Sequence, residues 1–325
     1  MLARSPALRP PALVPGATVG IVAPSSSFPR DSFDEGVAWL EAQGLRVKWR
    51  PDLMERHYYL AGSRRRRLDE LHAMFSDPEV SAIFCARGGF GLMHLLPDID
   101  WDILLAAPKI FVGYSDLTPL LNTLVSRGMV SFLGPVMTGL TRKTSPDCQA
   151  QLLEVMSEVG KPCWRLEGGT CLRPGVVEAP ACGGNLSMLA ATAGTPWQVD
   201  PEGKILLIED VGERPYRIDR LLTQLRLTGM LGRAAAIAIG NMEDCQEPGG
   251  RGRPLPEIYA DLLGDLPIPV CYGLPFGHGW DNHTIPLGVD LHLDCGQGRL
   301  VPLSPAVSVP GRLPSLEGRA PAQGP

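Results

Sequence analysis

"KIFVGYSDLTPLLNTLVSRG", residues 109–128, passes from a short apolar run to a helical pattern closed by a glycine, with one serine at the corner. "KIFVG" has the β-branched and aromatic content of a buried strand. "LTPLLNTLVSRG" (117–128) reads as a helix ended by Gly128. The strand should end near Gly113 and the helix should begin by Leu117 or Thr118. Pro119 then falls in the first turn, where a missing N–H costs nothing. A strand that turns through a polar corner into a helix is the building unit of parallel α/β sheets, and the same unit recurs on both sides of this one.

Upstream, "TVGIVAP" (18–24) reads as a strand and "DSFDEGVAWLEAQG" as a helix closed by Gly44. "LRVKW" is a second strand, "SRRRRLDELHAMFSD" a helix with Ser63 as its cap, and "VSAIFCA" a third strand. "VSFLG" follows the helix at 117–128. Alternating strands and helices imply a mainly parallel sheet, and wholly apolar strands suit a sheet covered on both faces. The expected fold class is α/β: a Rossmann-like N-terminal sheet with flanking helices, joined to a smaller β-rich α/β C-terminal domain. From about Ser145 the pattern changes. "SPDCQAQLLEVMSEVGKP" is an amphipathic helix that runs into "LEGGTCLRPGVVEAPACGG", read as a linker. Beyond it, "NLSMLAATAG", "KILLIED", "YRIDRLLTQLRLTG", "AAAIAIGN", "LPEIYADLLGD", "IPVCYG" and "GVDLHLD" continue the alternation. The expected organisation is an N-terminal domain over 1–160, a linker over 161–174, a C-terminal domain over 175–305 and a disordered tail over 306–325.

A net charge of −5 over 325 residues, with both signs interspersed, argues against a nucleic-acid partner. The basic run Arg64–Arg67 is followed by Asp69 and Glu70 at helical spacing, which reads as a solvated face with ion pairs. Eight scattered cysteines without a C-x-x-C fit reduced thiols in a cytoplasmic protein. The N-terminus is broken by prolines and makes a poor signal peptide. The most apolar later run, from Ala234, is far too short to cross a membrane.

Ser115 sits where α/β sheets place their sites, at the carboxyl end of a strand. Backbone N–H groups and the positive end of a helix dipole surround such a position. Serine and aspartate are also the ordinary helix caps, and Leu117 stands where G-x-S-x-G would require glycine. Glu209 and Asp210 end the apolar strand "KILLIED"; their ordinary role would be ion pairs with Arg214, Arg217 or Arg220. His278, in "LPFGHGWDNHTIPLG" (274–288), lies between two glycines that let the backbone come close and the imidazole project. Imidazole is the usual proton acceptor for a serine hydroxyl. His283 competes for that role, and His278, Asp281 and His283 would compose a metal site, although no H-E-x-x-H spacing is present. "FCARGGFG" (84–91) lacks the lysine of a phosphate loop; its glycines serve either a tight turn or a backbone N–H aimed at a substrate oxygen.

Together "VGIVAPSS", "YLAG", "DPEVSAIFCARGGFG", "FVGYSDLT", "CGGNLSML", "LLIEDVGERPYRIDR" and "FGHGWDNHTIPLG" resemble the LD-carboxypeptidase family of serine peptidases, murein tetrapeptide carboxypeptidases and microcin-immunity peptidases included. The resemblance implies Ser115 as nucleophile, Glu209 as triad acid and His278 as general base. It implies an oxyanion hole from the backbone N–H groups of Asp116 and Gly89, and a homodimer without cofactor or metal. The implied reaction releases a terminal D-alanine from murein tetrapeptides. Because a terminal carboxylate needs a cation or N–H donors, Arg87 is a candidate, with plain surface solvation as its alternative. The other readings are an immunity-type peptidase cleaving aminoacyl-nucleotide antibiotics and a non-catalytic ligand-binding protein on the same scaffold.

Overall fold

The computed structural model describes residues 7–157, 159, 164–250 and 252–310. The first half runs β1 (Thr18–Val22), α1 (Arg30–Ala42), β2 (Arg46–Lys48), α2 (Arg64–Ser76), β3 (Val80–Cys85), α3 (Trp101–Ala106), β4 (Ile110–Gly113), α4 (Thr118–Ser126), β5 (Ser131–Leu133) and α5 (Pro146–Ser157). The second half contributes β6 (Thr170–Arg173), β7 (Val176–Asn185), α6 (Leu186–Thr192), β8 (Ile205–Val211), α7 (Pro215–Leu227) and α8 (Met230–Arg233). It continues with β9 (Ala236–Glu243), α9 (Leu255–Leu263), β10 (Val270–Tyr272), β11 (Ile285–Leu287), β12 (Asp290–Asp294) and β13 (Arg299–Pro302).

These strands form two sheets among the described residues, in the orders β11-β5-β4-β3-β1-β2 and β13-β12-β7-β8-β9-β10-β6. From β5 to β2 the first sheet is parallel, and β1 and β4 are buried along their whole length. Strand order reverses between β1 and β3, and ligands bind at such a switch, outside the carboxyl ends of the strands. The segments leaving β1 and β3, residues 23–27 and 86–91, line that crevice. In the second sheet β7 to β10 are parallel and α6, α7 and α9 cover one face, burying Ile218, Leu222 and Leu225 against Leu206 and Ile208. No helix among the described residues is long and apolar enough to cross a membrane.

Three sequence expectations are corrected. "VVEAPACGG", read as linker, is most of the ten-residue strand β7, and β6 lies in the segment expected to link the domains; residues 161–163 are outside the described range. Pro180 occupies the point where β7 leaves its antiparallel partner β12 for its parallel partner β8, so its missing N–H falls between ladders. Gly183 is required by close approach, since a Cβ there would lie 2.1 Å from the Leu207 carbonyl oxygen. Second, the expected tail begins ordered: Ala306 and Val307 are buried, and Ser308 exchanges backbone hydrogen bonds with Pro10 and Ala12. Residues 311–325 lie outside the described range.

Third, the basic run is only half solvated. Ser63 caps α2 through the Arg66 N–H, and Arg64 and Arg65 pair with Asp98 and Asp69 at the surface. Arg66, Arg67 and Glu70 turn inward and are buried. Arg66 Nη2 donates to Glu70 Oε1 at 2.6 Å, and Glu70 Oε2 accepts the Ala23 N–H at 2.6 Å. The i,i+4 spacing that marks a solvated ion pair holds equally for a buried one.

The sheets meet through α4 and β7. Asn122 Nδ2 donates to the Gly183 carbonyl at 2.9 Å and its Oδ1 accepts the Gly183 N–H at 2.7 Å; the Asn185 N–H donates to Thr118 Oγ1 at 3.0 Å. All three are buried hydrogen bonds, and Asn185 is the register partner of Glu209 on β8. A side-chain amide thus stands in for a strand, fastening the helix that follows Ser115 to the sheet that carries Glu209.

Two predictions follow from this packing. Asn122→Leu keeps the branched shape but leaves both Gly183 groups unpaired, and should lower the urea unfolding free energy by about 2–4 kcal/mol. Burial pushes the Glu70 carboxyl from 4.5 up to about 7, with Arg66 acting the other way. The folded state therefore holds a proton that the unfolded chain has released. The stability this confers is complete below about 4.5 and is lost as pH rises through about 7. Between pH 5 and 8 the wild type should lose about 2 kcal/mol more than Glu70→Gln in the same unfolding measurement.

Candidate active site

At the corner between β4 and α4, Ser115 has φ +64°. A non-glycine residue is seldom held there, and the conformation costs on the order of 1–3 kcal/mol. The strain does not serve capping. Neither the 3-10 turn Ser115–Leu117 nor α4 receives a side-chain cap, so the Ser115 hydroxyl caps neither; only its carbonyl takes part, accepting the Thr118 N–H. The helix itself starts at Thr118 with Pro119 in its first turn, as read from the sequence. Partly exposed, Ser115 faces the glycine loop: a Cβ on Gly88 would lie 3.0 Å from Ser115 Cβ and 3.3 Å from its Oγ. No acceptor among the described residues takes the N–H of Asp116 or of Gly89. Asp116 follows the serine in the chain, and Gly89 follows Gly88, the glycine packed against it.

Glu209 lies near the carboxyl end of β8 and is fully buried. Its position is re-aimed by a bulge in the neighbouring strand: Ile208 pairs with Ile239 but Asp210 with Met242, so β9 carries one extra residue opposite Glu209. That slack lets Asn241 turn toward the 276–281 loop, donating its N–H to the Phe276 carbonyl and its Nδ2 to Asp281 O. His278 meets Glu209 from this loop. Glu209 Oε2 accepts both the His278 backbone N–H at 2.9 Å and Nδ1 at 2.6 Å. Gly277, at φ +90°, permits the approach, since a Cβ there would lie 2.5 Å from Glu209 Cβ. The imidazole packs on Tyr114, ring centroids 4.5 Å apart, and Tyr114 immediately precedes Ser115.

The structure thus brings Glu209 and His278 into a charge-assisted bond and sets the imidazole beside the residue next to Ser115. Among the described residues no hydrogen bond joins Ser115 to His278. Asp210 alternates to the other face, where Asn185 Nδ2, the Ser187 N–H and the Ser187 hydroxyl donate to it; burial pushes its carboxyl up. The arginines that would have paired with these acids are engaged elsewhere: Arg214 with Glu247, Arg217 with Glu213, and Arg220 over the Tyr216 ring.

His283 does not reach Glu209. Its Nδ1 is buried without a partner and burial lowers its basicity. No group of three His, Cys, Asp or Glu among the described residues is placed to hold a metal ion. Arg87 is exposed on the glycine loop and donates Nη1 to the Ser27 carbonyl at 3.0 Å. A separate apolar cavity of about 470 Å³, with Met242, Tyr259 and Tyr272 in its wall, excludes Ser115, Glu209 and His278. The parts that sequence reasoning missed are Tyr114, Asn122 and the buried Arg67. The Asn185 cap of α6, which accepts the Met188 N–H, had a legible signal in asparagine before an apolar helix, but its contacts to Thr118 and Asp210 had none.

Residues 19–134 match the LD-carboxypeptidase N-terminal domain and residues 178–293 the LD-carboxypeptidase C-terminal domain. The murein tetrapeptide carboxypeptidase of Pseudomonas aeruginosa is 34% identical over 283 residues, covering 83% of this chain and 91% of its own. A Bacillus subtilis protein named "Probable murein peptide carboxypeptidase" is 38% identical over 288 residues, covering 86% of this chain and 89% of its own. Among solved structures, muramoyltetrapeptide carboxypeptidase from Oxalobacter formigenes superposes with a TM-score of 0.79 at 31% identity, over 87% of this chain and 97% of its own. The microcin C7 self-immunity protein MccF shares the fold with a TM-score of 0.84 at 24% identity, over 93% of this chain and all of its own. With both halves matched in order, the chain belongs to the LD-carboxypeptidase family of peptidases.

Proposed function

We propose that the protein is a serine-type LD-carboxypeptidase that releases the terminal D-alanine of murein tetrapeptides. The observation that carries this reading is the 2.6 Å bond between Glu209 and His278 Nδ1, set against the residue that precedes a strained, non-capping serine. With Nδ1–H donating to the carboxylate, Nε2 is left unprotonated and able to accept the Ser115 proton. Ser115 Oγ attacks the carbonyl carbon of the scissile amide, and the N–H groups of Asp116 and Gly89 receive the oxyanion. As the C–N bond breaks, His278 returns the proton to the amine of D-alanine. Water, deprotonated by His278, then attacks the acyl-enzyme and frees the shortened peptide and Ser115. Arg87 is the proposed cation for the terminal carboxylate of the substrate. The family resemblance further supports a homodimer working in the cytoplasm.

The competing reading is cleavage of an aminoacyl-nucleotide. Structures of MccF, which include a complex with aspartyl sulfamoyl adenosine, share the fold. Higher identity to the murein peptidases, 34% and 38% against 30% for MccF, favours the murein reading.

Mass spectrometry of the protein with L-Ala-γ-D-Glu-meso-diaminopimelate-D-Ala should show D-alanine release. Ser115→Ala should lower kcat/KM by at least about 10³-fold with the fold intact. Turnover by Ser115→Ala at the wild-type rate would sink the mechanism and leave a different nucleophile to be found. Aspartyl sulfamoyl adenosine, run in parallel, should stay intact. Glu209→Gln should lower kcat by about 10⁴-fold with little change in KM, because an amide holds His278 in the wrong tautomer. An unchanged kcat there would remove Glu209 from the mechanism.

A further inference from the structure

Arg67 is a charged side chain with no exposed surface. Its Nη1 donates to the carbonyls of Pro24 at 2.6 Å and Gly91 at 2.8 Å, while Nε and Nη2 are buried without partners. Pro24 follows β1 and Gly91 closes the glycine loop that follows β3. One cation therefore grips both lips of the crevice where strand order reverses. The lips are also laced to each other: the Ser26 N–H donates to the Gly88 carbonyl at 3.2 Å and the Phe90 N–H to Ser26 Oγ at 3.0 Å.

A third strand end joins this set. Asp116, the residue after Ser115, is buried and its Oδ2 accepts the Leu92 N–H at 2.9 Å. Burial pushes this carboxyl up; the Ser25 hydroxyl, the Leu92 N–H and, after them, the Arg67 charge act the other way. Gly89 and Asp116, the two proposed oxyanion donors, thus belong to different segments. What sets one against the other is the Leu92–Asp116 bond and the guanidinium behind it. Burying an arginine with two unpaired N–H groups is unfavourable for stability alone, so packing does not account for it.

Resting on the serine mechanism above, we propose that Arg67 is a positioning residue for the oxyanion hole: it clamps the 88–91 loop to the 24–26 segment, so that the N–H groups of Gly89 and Asp116 stay aimed at one point beside Ser115.

The test compares wild type, Arg67→Met and Arg67→Lys by steady-state kinetics on the murein tetrapeptide and by amide hydrogen exchange. Arg67→Met is expected to lower kcat about 100-fold, the loss that follows one misplaced oxyanion donor, with KM within about threefold. Exchange at Phe90 and Leu92 should rise at least about tenfold and stay unchanged along β8. Arg67→Lys keeps the charge but not the forked geometry, and should recover about tenfold of the lost kcat. Wild-type kcat in a folded Arg67→Met protein overturns the proposal. So does a loss shared by kcat and KM with faster exchange throughout, which marks a scaffold role only. If Arg67→Met does not fold, Arg67→Lys decides: wild-type kcat together with wild-type exchange at residues 90–92 overturns the clamp. Hydrogen exchange needs no substrate. Should the wild type leave the tetrapeptide intact, the functional reading fails on its own, and exchange at residues 90–92 still shows whether Arg67 holds the loop.

Discussion

Everything at the site depends on one buried side-chain amide. Asn122 presents a donor and an acceptor to the backbone of Gly183, completing in side-chain form the pairing that a neighbouring strand would supply. Polar groups buried between layers must be paired, so this contact admits one alignment of α4 on β7. The consequences propagate by covalent geometry alone. Ser115 stands just ahead of α4, Asn185 ends β7, and Asn185 is in register with Glu209. Placing the amide places the Ser115 corner and Glu209 relative to one another, although they lie on different sheets.

The same economy governs His278. Its loop has no regular structure, yet it is tied from several sides: to Glu209 by two hydrogen bonds, to β9 through Asn241, and to the first half of the chain where the Ser145 N–H donates to the Trp280 carbonyl. An imidazole carried on a free loop would spend little time in a productive orientation, and catalysis by proton transfer needs the base held within hydrogen-bond reach. Glycine on either side removes the steric obstacle to this approach, and the hydrogen bonds then supply the restraint.

Much of this was legible in the sequence, for reasons that can be named. The corner at Ser115 could be read because apolar strands and a glycine-closed helix leave local periodic marks. The pairing of Glu209 with His278 could be expected only through family resemblance, since 69 residues separate them and no local rule spans that distance. Asn122 gave no signal at all: mid-helix asparagine is unremarkable until its partner on another sheet is known. Two misreadings share a cause. In "VVEAPACGG" glycine and proline looked like punctuation, whereas Gly183 is there for contact with Leu207 and Pro180 for a change of partner. In "SRRRRLDEL" charge looked like solvation, and Arg66, Arg67 and Glu70 are inside. Composition reports what a residue usually does, and buried sites are assembled from exceptions.

The first sheet is closed by β11, which arrives from residues 285–287 to pair antiparallel with β5. Ser308, later still, bonds to Pro10 and Ala12 near the start of the chain. During synthesis, then, Ser115 emerges from the ribosome long before its sheet can be completed, and His278 emerges only just before the strand that completes it. Contacts of such sequence separation form late. A nascent or truncated chain would carry Ser115 with neither His278 nor a finished core. Assembly of the Ser115 corner with the 276–281 loop is in this way coupled, by topology, to synthesis of the last strands.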